Sequence, residues 1–461
     1  MRIMRMSVGA IALGLTVGCS APTVNYSMEA PTLSSPTIHE HADAEQRARL
    51  PEPRVLEVVS LHAILAYADK NSPLLGVARA SLSLGEAAMA GASPRLPADP
   101  SVSIAMGPRI GANGTGVDFS LGVTQQIEIS GARGLRIESA ERLSDLKKME
   151  LKQSQWLVHQ QVHRLFHQAL VAKEQTVASE ERLKFAESLV FIARRRLEAG
   201  DIAPLGVRVA EGEFSQAKQA KVAADGEYVS AQLVLAEAAG WPVNYLPIPA
   251  GTLDEPKKTP SVDVLLSLAS KNNRQLSTLA ASTRSSEANL VLADRNSWPK
   301  PVLGLQYNRE SDPSASFGSA EADVILFGVS LPIPLWRKNI KSRAKARARV
   351  DIEKARYLQQ KQRLPVRVVR AANQVNVAAD RIAAYGSEIL PRFESNLKML
   401  EKAFELGEIE ILDVSVAQRR FLEIQQDALN AYYEYYQASA TLEQVVGAEV
   451  WPEERHDSGD E

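Results

Sequence analysis

Three histidines at four-residue intervals form the clearest group of potential metal ligands in the sequence. His159, His163 and His167 lie in a segment without Gly or Pro, where a helix places them along one face. Histidines at positions i and i+4 of a helix can share a metal ion. That face also carries the apolar residues Trp156, Phe166 and Leu170. No Glu lies between the histidines as in the zinc-protease motif, so we expect packing or the lining of a lumen rather than a metal site.

The remaining polar residues do not predict catalysis. His39 and His41 flank Glu40 near the N-terminus, where weak metal binding and a solvated polar arm are the alternatives, and we favour the arm. No nucleophile elbow, phosphate loop or paired-carboxylate motif occurs. We therefore predict neither an enzyme nor a cofactor. A metal-dependent enzyme built on the histidine stripe is the least favoured alternative.

The only cysteine, Cys19, follows a segment typical of export signals. Arg2 and Arg5 precede an apolar run from Val8 to Val17. A run of this length fits the hydrophobic core of a signal peptide and is too short to span a bilayer, which takes about 20 residues. We predict a signal peptide over residues 1–18.

The end of this segment, Leu15 to Ser20, resembles the bacterial lipoprotein signal. Cleavage after the small Gly18 would leave Cys19 as the lipidated first residue, although Thr16 stands where that signal usually has Leu. Ser20 after the cysteine resembles lipoproteins that are passed on to the outer membrane. The alternative is an ordinary signal peptide followed by a bystander cysteine.

The composition excludes several classes of protein. Lys plus Arg number 53 and Asp plus Glu number 55, and this balance argues against a nucleic-acid partner. Hydrophobic residues make up 45% of the chain, which fits folded domains of considerable size. After residue 18 no run of about 18 apolar residues occurs, so any membrane-spanning part must be built from strands.

The sequence contains one pattern twice. Positions 65, 70, 71 and 75 have the same residues as positions 266, 271, 272 and 276, an offset of 201, and Glu198, Gly200 and Ile202 recur as Glu405, Gly407 and Ile409, an offset of 207. We place repeat one at 58–250 and repeat two at 258–450. Residues 19–57 form an arm rich in Pro, Ser and Thr, and 451–461 form an acidic tail that we expect to be disordered.

Each repeat combines a strand hairpin with two long helices. Period-two alternation predicts strands at 101–107, 117–129, 302–308 and 322–333. Residues 135–199 and 408–446 contain neither Gly nor Pro. With the repeated pattern, this predicts long helices at 135–199, 203–240, 339–406 and 408–447, which antiparallel coiled-coil packing would bury. Soluble hairpins alternate in the same way, but the export signal and the flanking Trp298 and Trp336 favour membrane strands. The predicted lipid face comprises Val102, Ile104, Val117, Phe119, Leu121, Leu303, Leu305 and Ile325.

Over about residues 55–450 this organisation resembles the TolC-like outer-membrane efflux factor family. Residues 125–136 and 329–336 look like the strand-to-helix junctions of its heavy-metal (Czc and Cus) branch, and residues 407–414 look like its periplasmic tip turn. The resemblance implies a mainly α fold with a transmembrane β part, in which a homotrimer forms a 12-stranded barrel continued by a helical tunnel. It also implies an inner-membrane RND pump and a periplasmic adaptor as partners, and the lipid of a Gram-negative outer membrane. From the residues alone, four strands cannot close a barrel, which needs about eight, and both two and three copies remain open.

The predicted tip carries a group of acidic residues. Gly200 and Gly407 mark the tip turns, and Asp413 matches an acidic constriction position of the family, with Glu408 and Glu410 close by. The family's second acidic position is Val416 here. Three copies around an axis would form a ring of carboxylates that favours cations. A solvated acidic turn that contacts the adaptor is the alternative.

The predicted function is passive export. The chain is interpreted as the outer-membrane duct of a tripartite efflux system, carrying heavy-metal cations from pump and adaptor to the exterior. The alternatives are drug or type I protein export, and a lipid-anchored periplasmic docking coiled coil. Pro365, Gly386 and Pro391 interrupt the third long helix, so we expect the second helical pair to be the one that moves.

Overall fold

The structure is a computed structural model that describes residues 55–111, 114–242, 244–311, 321–336 and 339–451. The predicted signal peptide, Cys19, the pair His39 and His41, and the acidic tail beyond Trp451 lie outside the described residues. No described helix is both long enough and apolar enough to cross a bilayer.

Repeat one begins with a short strand and ends with two long helices. In chain order its elements are β1 (Val55–Val59), α1 (Leu61–Asn71), α2 (Pro73–Ala80), α3 (Ser83–Ala92), β2 (Ser101–Gly111), β3 (Gly114–Gln126), α4 (Ala132–Glu198) and α5 (Pro204–Ala239). With 67 residues, α4 is about 100 Å long at 1.5 Å per residue. A helix of this length depends on packing against other helices rather than on a single compact core.

Repeat two has a similar element order, with two short helices in place of three and with its first long helix divided in two. Strand β4 (Tyr245–Pro249) precedes α6 (Val262–Asn272), α7 (Arg274–Arg295), β5 (Val302–Ser311), β6 (Glu321–Ser330), α8 (Ile340–Ala384), α9 (Leu390–Leu406) and α10 (Ile411–Val446). Strand β6 stops at Ser330, short of the predicted end at 333, because Pro332 has no N–H to donate to a strand ladder. Strands β1 and β4 pair in parallel in a small sheet of their own.

Two glycines show that the repeats are built alike at the ends of their last helices. Gly240 and Gly447 follow α5 and α10 with φ of 71° and 85°, in the left-handed region. A Cβ atom on either glycine would lie 2.2 Å from the carbonyl oxygen of Asn71 or Asn272, respectively. These asparagines end α1 and α6, so each long helix pair packs closely against the short helices of its own repeat.

The third long helix is interrupted where the register between the repeats changes. Val162, Arg164 and Gln168 recur as Val368, Arg370 and Gln374, an offset of 206. The offset is 207 at Glu198 and Glu405, so one extra residue has entered in between. A π-helical turn at Tyr385–Ile389 lies in this interval and accommodates the extra residue as a bulge.

The interruption differs in part from the prediction. Helix α8 continues through Pro365, whereas Gly386 lies in the π turn and Pro391 lies in the first turn of α9. From residue 383 to residue 403 no side chain is buried. Between the π turn and residue 403 the helix therefore has little packing within its own chain.

The four long strands form one antiparallel sheet in the order β2, β3, β5, β6. The pairing of β3 with β5 joins the two repeats, and in the described residues the outer edges of β2 and β6 have no partner. The register aligns apolar residues across all four strands. One row holds Val102, Val123, Leu305 and Phe327, and the next holds Ile104, Leu121, Tyr307 and Ile325.

Candidate functional site

The tips of the two helical pairs lie against each other. Gly200 and Gly407 both have φ of 83° and turn the chain after α4 and α9, as their predicted position in tip turns requires. Buried side chains from both repeats form one cluster there, comprising Leu189, Ala193, Val207, Ala210, Phe404, Ile411 and Val414. The second pair is thus held by the first pair at the tip.

The predicted acidic residues lie together at the second tip turn. Glu408, Glu410 and Asp413 are all exposed. Glu410 is the N-cap of α10, and its side chain accepts a hydrogen bond from the N–H of Asp413, while the Asp413 carboxylate accepts one of 3.3 Å from the N–H of Glu410. This capping box explains why two of the acids stand three residues apart.

Repeat one lacks two of these three acids at the corresponding turn. Ala203 and Gly206 occupy the positions of Glu410 and Asp413 at the offset of 207. Helix α5 accordingly has no side-chain cap at its start. The pair Glu410 and Asp413 is therefore specific to the tip of the second helical pair, whereas Glu408 has an acidic counterpart, Asp201, in repeat one.

Arg196 connects the two tips in a way that the sequence analysis did not anticipate. Its guanidinium donates a hydrogen bond of 3.0 Å to the carbonyl oxygen of Phe404 and lies 4.9 Å from the centre of the Phe404 ring. A second contact between the repeats joins Arg419 to Glu213 at 3.2 Å. A sequence signal for Arg196 is absent because its partner is a backbone atom 208 residues away.

The sheet has one apolar and one polar face. All eight residues of the predicted lipid face fall on the same face in this register. Phe119, however, shares its row with Arg309 and Asp323, so it lies near the hairpin end of the face rather than in its apolar middle. The rows containing Leu121 and Leu305 form that middle.

Charged residues join the two repeats on the polar face. Near the hairpin tips, Arg109 contacts Asp118 at 2.9 Å and Glu310 at 2.9 Å. Asp118 also accepts a hydrogen bond of 3.0 Å from the N–H of Ser311. Because Arg109 and Asp118 belong to repeat one and Glu310 to repeat two, this cluster fixes the register of β3 against β5.

The histidine stripe forms a ladder of aromatic rings between α4 and α10. Ring centroids are 6.4 Å apart for His159 and His163 and 4.6 Å apart for His163 and His167. The ladder starts at Trp156, stacked on His159, and ends at Tyr436, stacked on His167 at 3.9 Å. In the described part of the chain no group of three His, Cys, Asp or Glu residues is arranged to hold a metal ion.

The ladder keeps its histidines neutral. Burial, helped by the neighbouring His167 and His159, lowers the pKa of His163 from 6.5 to about 3. Burial also lowers the pKa of His159 and of His167. The unfolded chain takes up these protons at a higher pH than the folded chain, so protonation favours unfolding. The free energy of unfolding is therefore unaffected by these histidines above pH 6.5 and decreases as the pH falls from 6.5 towards 3.

Replacing His163 by Phe should therefore weaken the dependence of stability on pH. Each pH unit below the unfolded-state pKa of His163 lowers the free energy of unfolding by about 1.36 kcal/mol, so at pH 5 this histidine lowers it by about 2 kcal/mol. We expect the melting temperature of His163→Phe to change less between pH 7 and pH 5 than that of the wild type. Glu443, whose pKa is raised by burial, acts in the opposite direction at lower pH in both proteins.

The control for this prediction is His62→Phe, because His62 is an exposed histidine of α1. This variant should keep the wild-type dependence on pH. An unchanged slope in His163→Phe would show that protonation of the ladder does not control acid stability.

Comparison with known proteins agrees with this arrangement. The sequence model described as outer membrane efflux protein matches residues 65–241 and 265–448, one match for each repeat. The chain belongs to this family. Its members are efflux channels of the outer membrane that extend into the periplasm, and they are not enzymes. Trimers that work with an inner-membrane pump and an adaptor are the rule in the family.

Two curated members of the outer membrane efflux protein family are similar in sequence. The cobalt-zinc-cadmium resistance protein CzcC of Cupriavidus metallidurans is 25% identical over 327 residues, which cover 70% of this chain and 75% of CzcC. The outer membrane protein TolC of Vibrio cholerae is 26% identical over 260 residues, which cover 55% of this chain and 59% of TolC.

Solved structures of outer-membrane channels share the TolC-like fold. CusC superposes with a TM-score of 0.68 at 18% identity, covering 84% of this chain and 92% of CusC. The Campylobacter jejuni channel CmeC gives a TM-score of 0.68 at 14% identity, covering 84% of this chain and 85% of CmeC. The predicted mainly α fold with hairpins and long antiparallel helices is confirmed.

Proposed function

We propose that this efflux channel works as a homotrimeric duct for heavy-metal cations. The observation that carries the proposal is the four-stranded sheet, whose two outer edges have no partner in the described residues and whose apolar face is exposed. Unpaired strand edges are costly in lipid, and exposed apolar rows are costly in water. Pairing β2 of one copy with β6 of the next satisfies the edges, and three copies give twelve strands with a lumen.

The same sheet indicates which part of the protein would cross the membrane. Its apolar rows would face lipid, and its polar face, with Ser103, Gln306 and Asn308, would line the lumen. Trp298 and Trp336 flank the second hairpin and are 54% and 83% exposed, as expected for aromatic residues at a membrane interface. The hairpin tips would then face the exterior, and the long helices would extend into the periplasm towards an RND-type pump and its adaptor.

The proposed cargo rests on the similarity to CzcC and on the acidic tip. The name of that relative refers to resistance against cobalt, zinc and cadmium. Three copies of Asp413, together with Glu408 and Glu410, would surround the entrance with carboxylates, which attract divalent cations and repel anions.

Asp413→Asn tests both the duct and its entrance. The amide keeps an oxygen for the N–H of Glu410 but removes the charge, so the turn should stay folded. In planar bilayers we expect the permeability ratio of K⁺ to Cl⁻ to fall by about twofold or more, and block by Zn²⁺ to weaken. A matched control is Glu405→Gln, because Glu405 already pairs with Lys402.

Two outcomes would contradict this proposal. A wild-type protein that forms no conducting pore would rule out the duct. A pore whose selectivity is the same in Asp413→Asn and the wild type, with normal export of zinc from cells, would leave Asp413 with its capping role alone.

We further propose that Cys19 carries the lipid anchor. Cys19→Ser should yield a mature protein without acyl chains that still assembles, because the sheet provides its own membrane affinity. Intact-mass spectrometry of the two purified proteins measures the difference. An unmodified N-terminus in the wild type would contradict the anchor.

A further inference from the structure

Helix α8 carries arginines at a strict seven-residue interval. Arg349, Arg356, Arg363 and Arg370 are all exposed. Seven residues turn an α-helix by about 700°, so successive arginines are displaced by only about 20°. Together with Arg367 they form a stripe along one face of α8, which we call the arginine stripe.

Little negative charge offsets the arginine stripe. Glu353 is the acidic partner of Arg349 and Arg356, at 3.1 Å and 3.0 Å, and its side chain is only 2% exposed. Arg367 contacts the amide oxygen of Gln275 at 3.5 Å. Within the described part of the chain Arg363 and Arg370 have no ion pair. Of the five guanidinium groups, only those of Arg349 and Arg356 pair with a carboxylate among the described residues.

The contacts of α8 identify the opposite side of the helix. Asn376 accepts a hydrogen bond of 3.0 Å from the N–H of Thr259. Asn376 follows Arg367 by nine residues and Arg349 by 27, and both spacings correspond to about half a turn around the helix. The segment at residue 259 leads into α6, which packs against α8 in the same buried cluster. The segment that leads into α6 therefore covers the side of α8 that faces away from the arginine stripe, whereas α7 reaches Arg367 through Gln275.

This geometry determines where the stripe lies in a trimeric duct. A conducting lumen leaves no room for α6 and the segment at residue 259, so their side of α8 is the outer one. The stripe then faces the lumen. Resting on the proposed duct, we infer that the arginine stripe is an anion-binding surface of the tunnel wall, which takes multivalent inorganic anions and anionic complexes.

The stripe belongs to repeat two alone. At the offset of 206, the positions in α4 that correspond to the four regularly spaced arginines hold Leu143, Glu150, Leu157 and Arg164. Glu150 pairs with Lys147 at 2.8 Å. A trimer would therefore have three basic bands separated by less charged wall, and each band would act within about 8 Å at physiological salt.

The stripe would complement the acidic tip. Carboxylates at the entrance favour cations, whereas the guanidinium groups farther along the tunnel repel them and hold anions. Metal cations would then pass without being retained by the wall, and anions would accompany them through the lumen. Guanidinium groups suit phosphate-like anions because their fork of donors can bind two oxygens at once.

Binding of inorganic tripolyphosphate to the full-length protein in detergent tests the inference. Isothermal titration calorimetry at about 20 mM salt limits screening. We expect the double variant Arg363→Gln/Arg370→Gln to bind tripolyphosphate about fivefold or more weakly than the wild type. The control is Lys361→Gln, because Lys361 is an exposed cation of the same helix about 200° away from Arg363.

The possible results separate the inference from the proposed duct. Equal weakening by Lys361→Gln and by the double variant, or a wild-type trimer that binds no tripolyphosphate, would overturn the anion-binding stripe and leave the duct intact. Sedimentation analysis of the same samples reports the assembly. A monomeric wild type that binds through Arg363 and Arg370 would overturn the duct, and with it the position of the stripe in a lumen.

Discussion

Replacing Leu305 by Arg is expected to prevent assembly of the protein in the outer membrane. Leu305 lies in the row of Val102, Val123 and Phe327, so apolar side chains surround it on the exposed face of the sheet. An arginine facing lipid near the middle of the bilayer costs about 2 to 4 kcal/mol, and a trimer would carry three of them. We expect the trimer band on native gels of outer-membrane fractions to disappear.

The neighbouring substitution Gln306→Arg is the control, because successive strand residues point to opposite faces. Gln306 shares the polar face with Ser103 and is exposed, so an arginine there should be tolerated. If both variants assemble equally well, the apolar face does not contact lipid. If both fail, the strand tolerates a large charged side chain on neither face.

Arg196→Ala is expected to loosen the tip of the helical pairs. The substitution removes the hydrogen bond to the Phe404 carbonyl and the contact with the Phe404 ring. A hydrogen bond from a charged donor contributes about 1.5 to 3 kcal/mol, and 2 kcal/mol changes an equilibrium about thirtyfold. Since residues 383–403 have no buried side chain, the second pair has few other contacts that resist its movement. We expect a several-fold higher single-channel conductance, with longer openings.

Arg195→Ala provides the matched control. Arg195 is exposed and lies 5.5 Å from the ring centre of Phe191 in its own helix, and among the described residues it makes no hydrogen bond or ion pair to repeat two. Its removal should leave the conductance at the wild-type value. Equal conductance in Arg196→Ala and the wild type would mean that the buried cluster at the tip, rather than this arginine, holds the pairs together.

Local patterns in the sequence determined most of the architecture. Hydrophobic alternation identified the four strands, and the lack of Gly and Pro from 135 to 199 identified the longest helix, α4. The duplicated pattern revealed the two repeats, and Gly200 and Gly407 marked the tip turns. These features could be predicted from the sequence because a periodic side-chain pattern or a glycine in the left-handed region depends on residues that are only a few positions apart.

The tertiary structure decided how these elements use their polar residues. The histidines could have been ligands, but their rings stack between Trp156 and Tyr436, and Tyr436 comes from the other repeat. Asp413 turned out to cap α10 as well as to stand at the tip. Arg196 had no sequence signal of its own, and the seven-residue spacing of the arginine stripe did not show which way the stripe faces. Their roles depend on a carbonyl group 208 residues away and on which side of α8 the segment at residue 259 covers. Contacts of this kind arise only when the two repeats pack together, because no local periodicity specifies which faces of two distant helices meet.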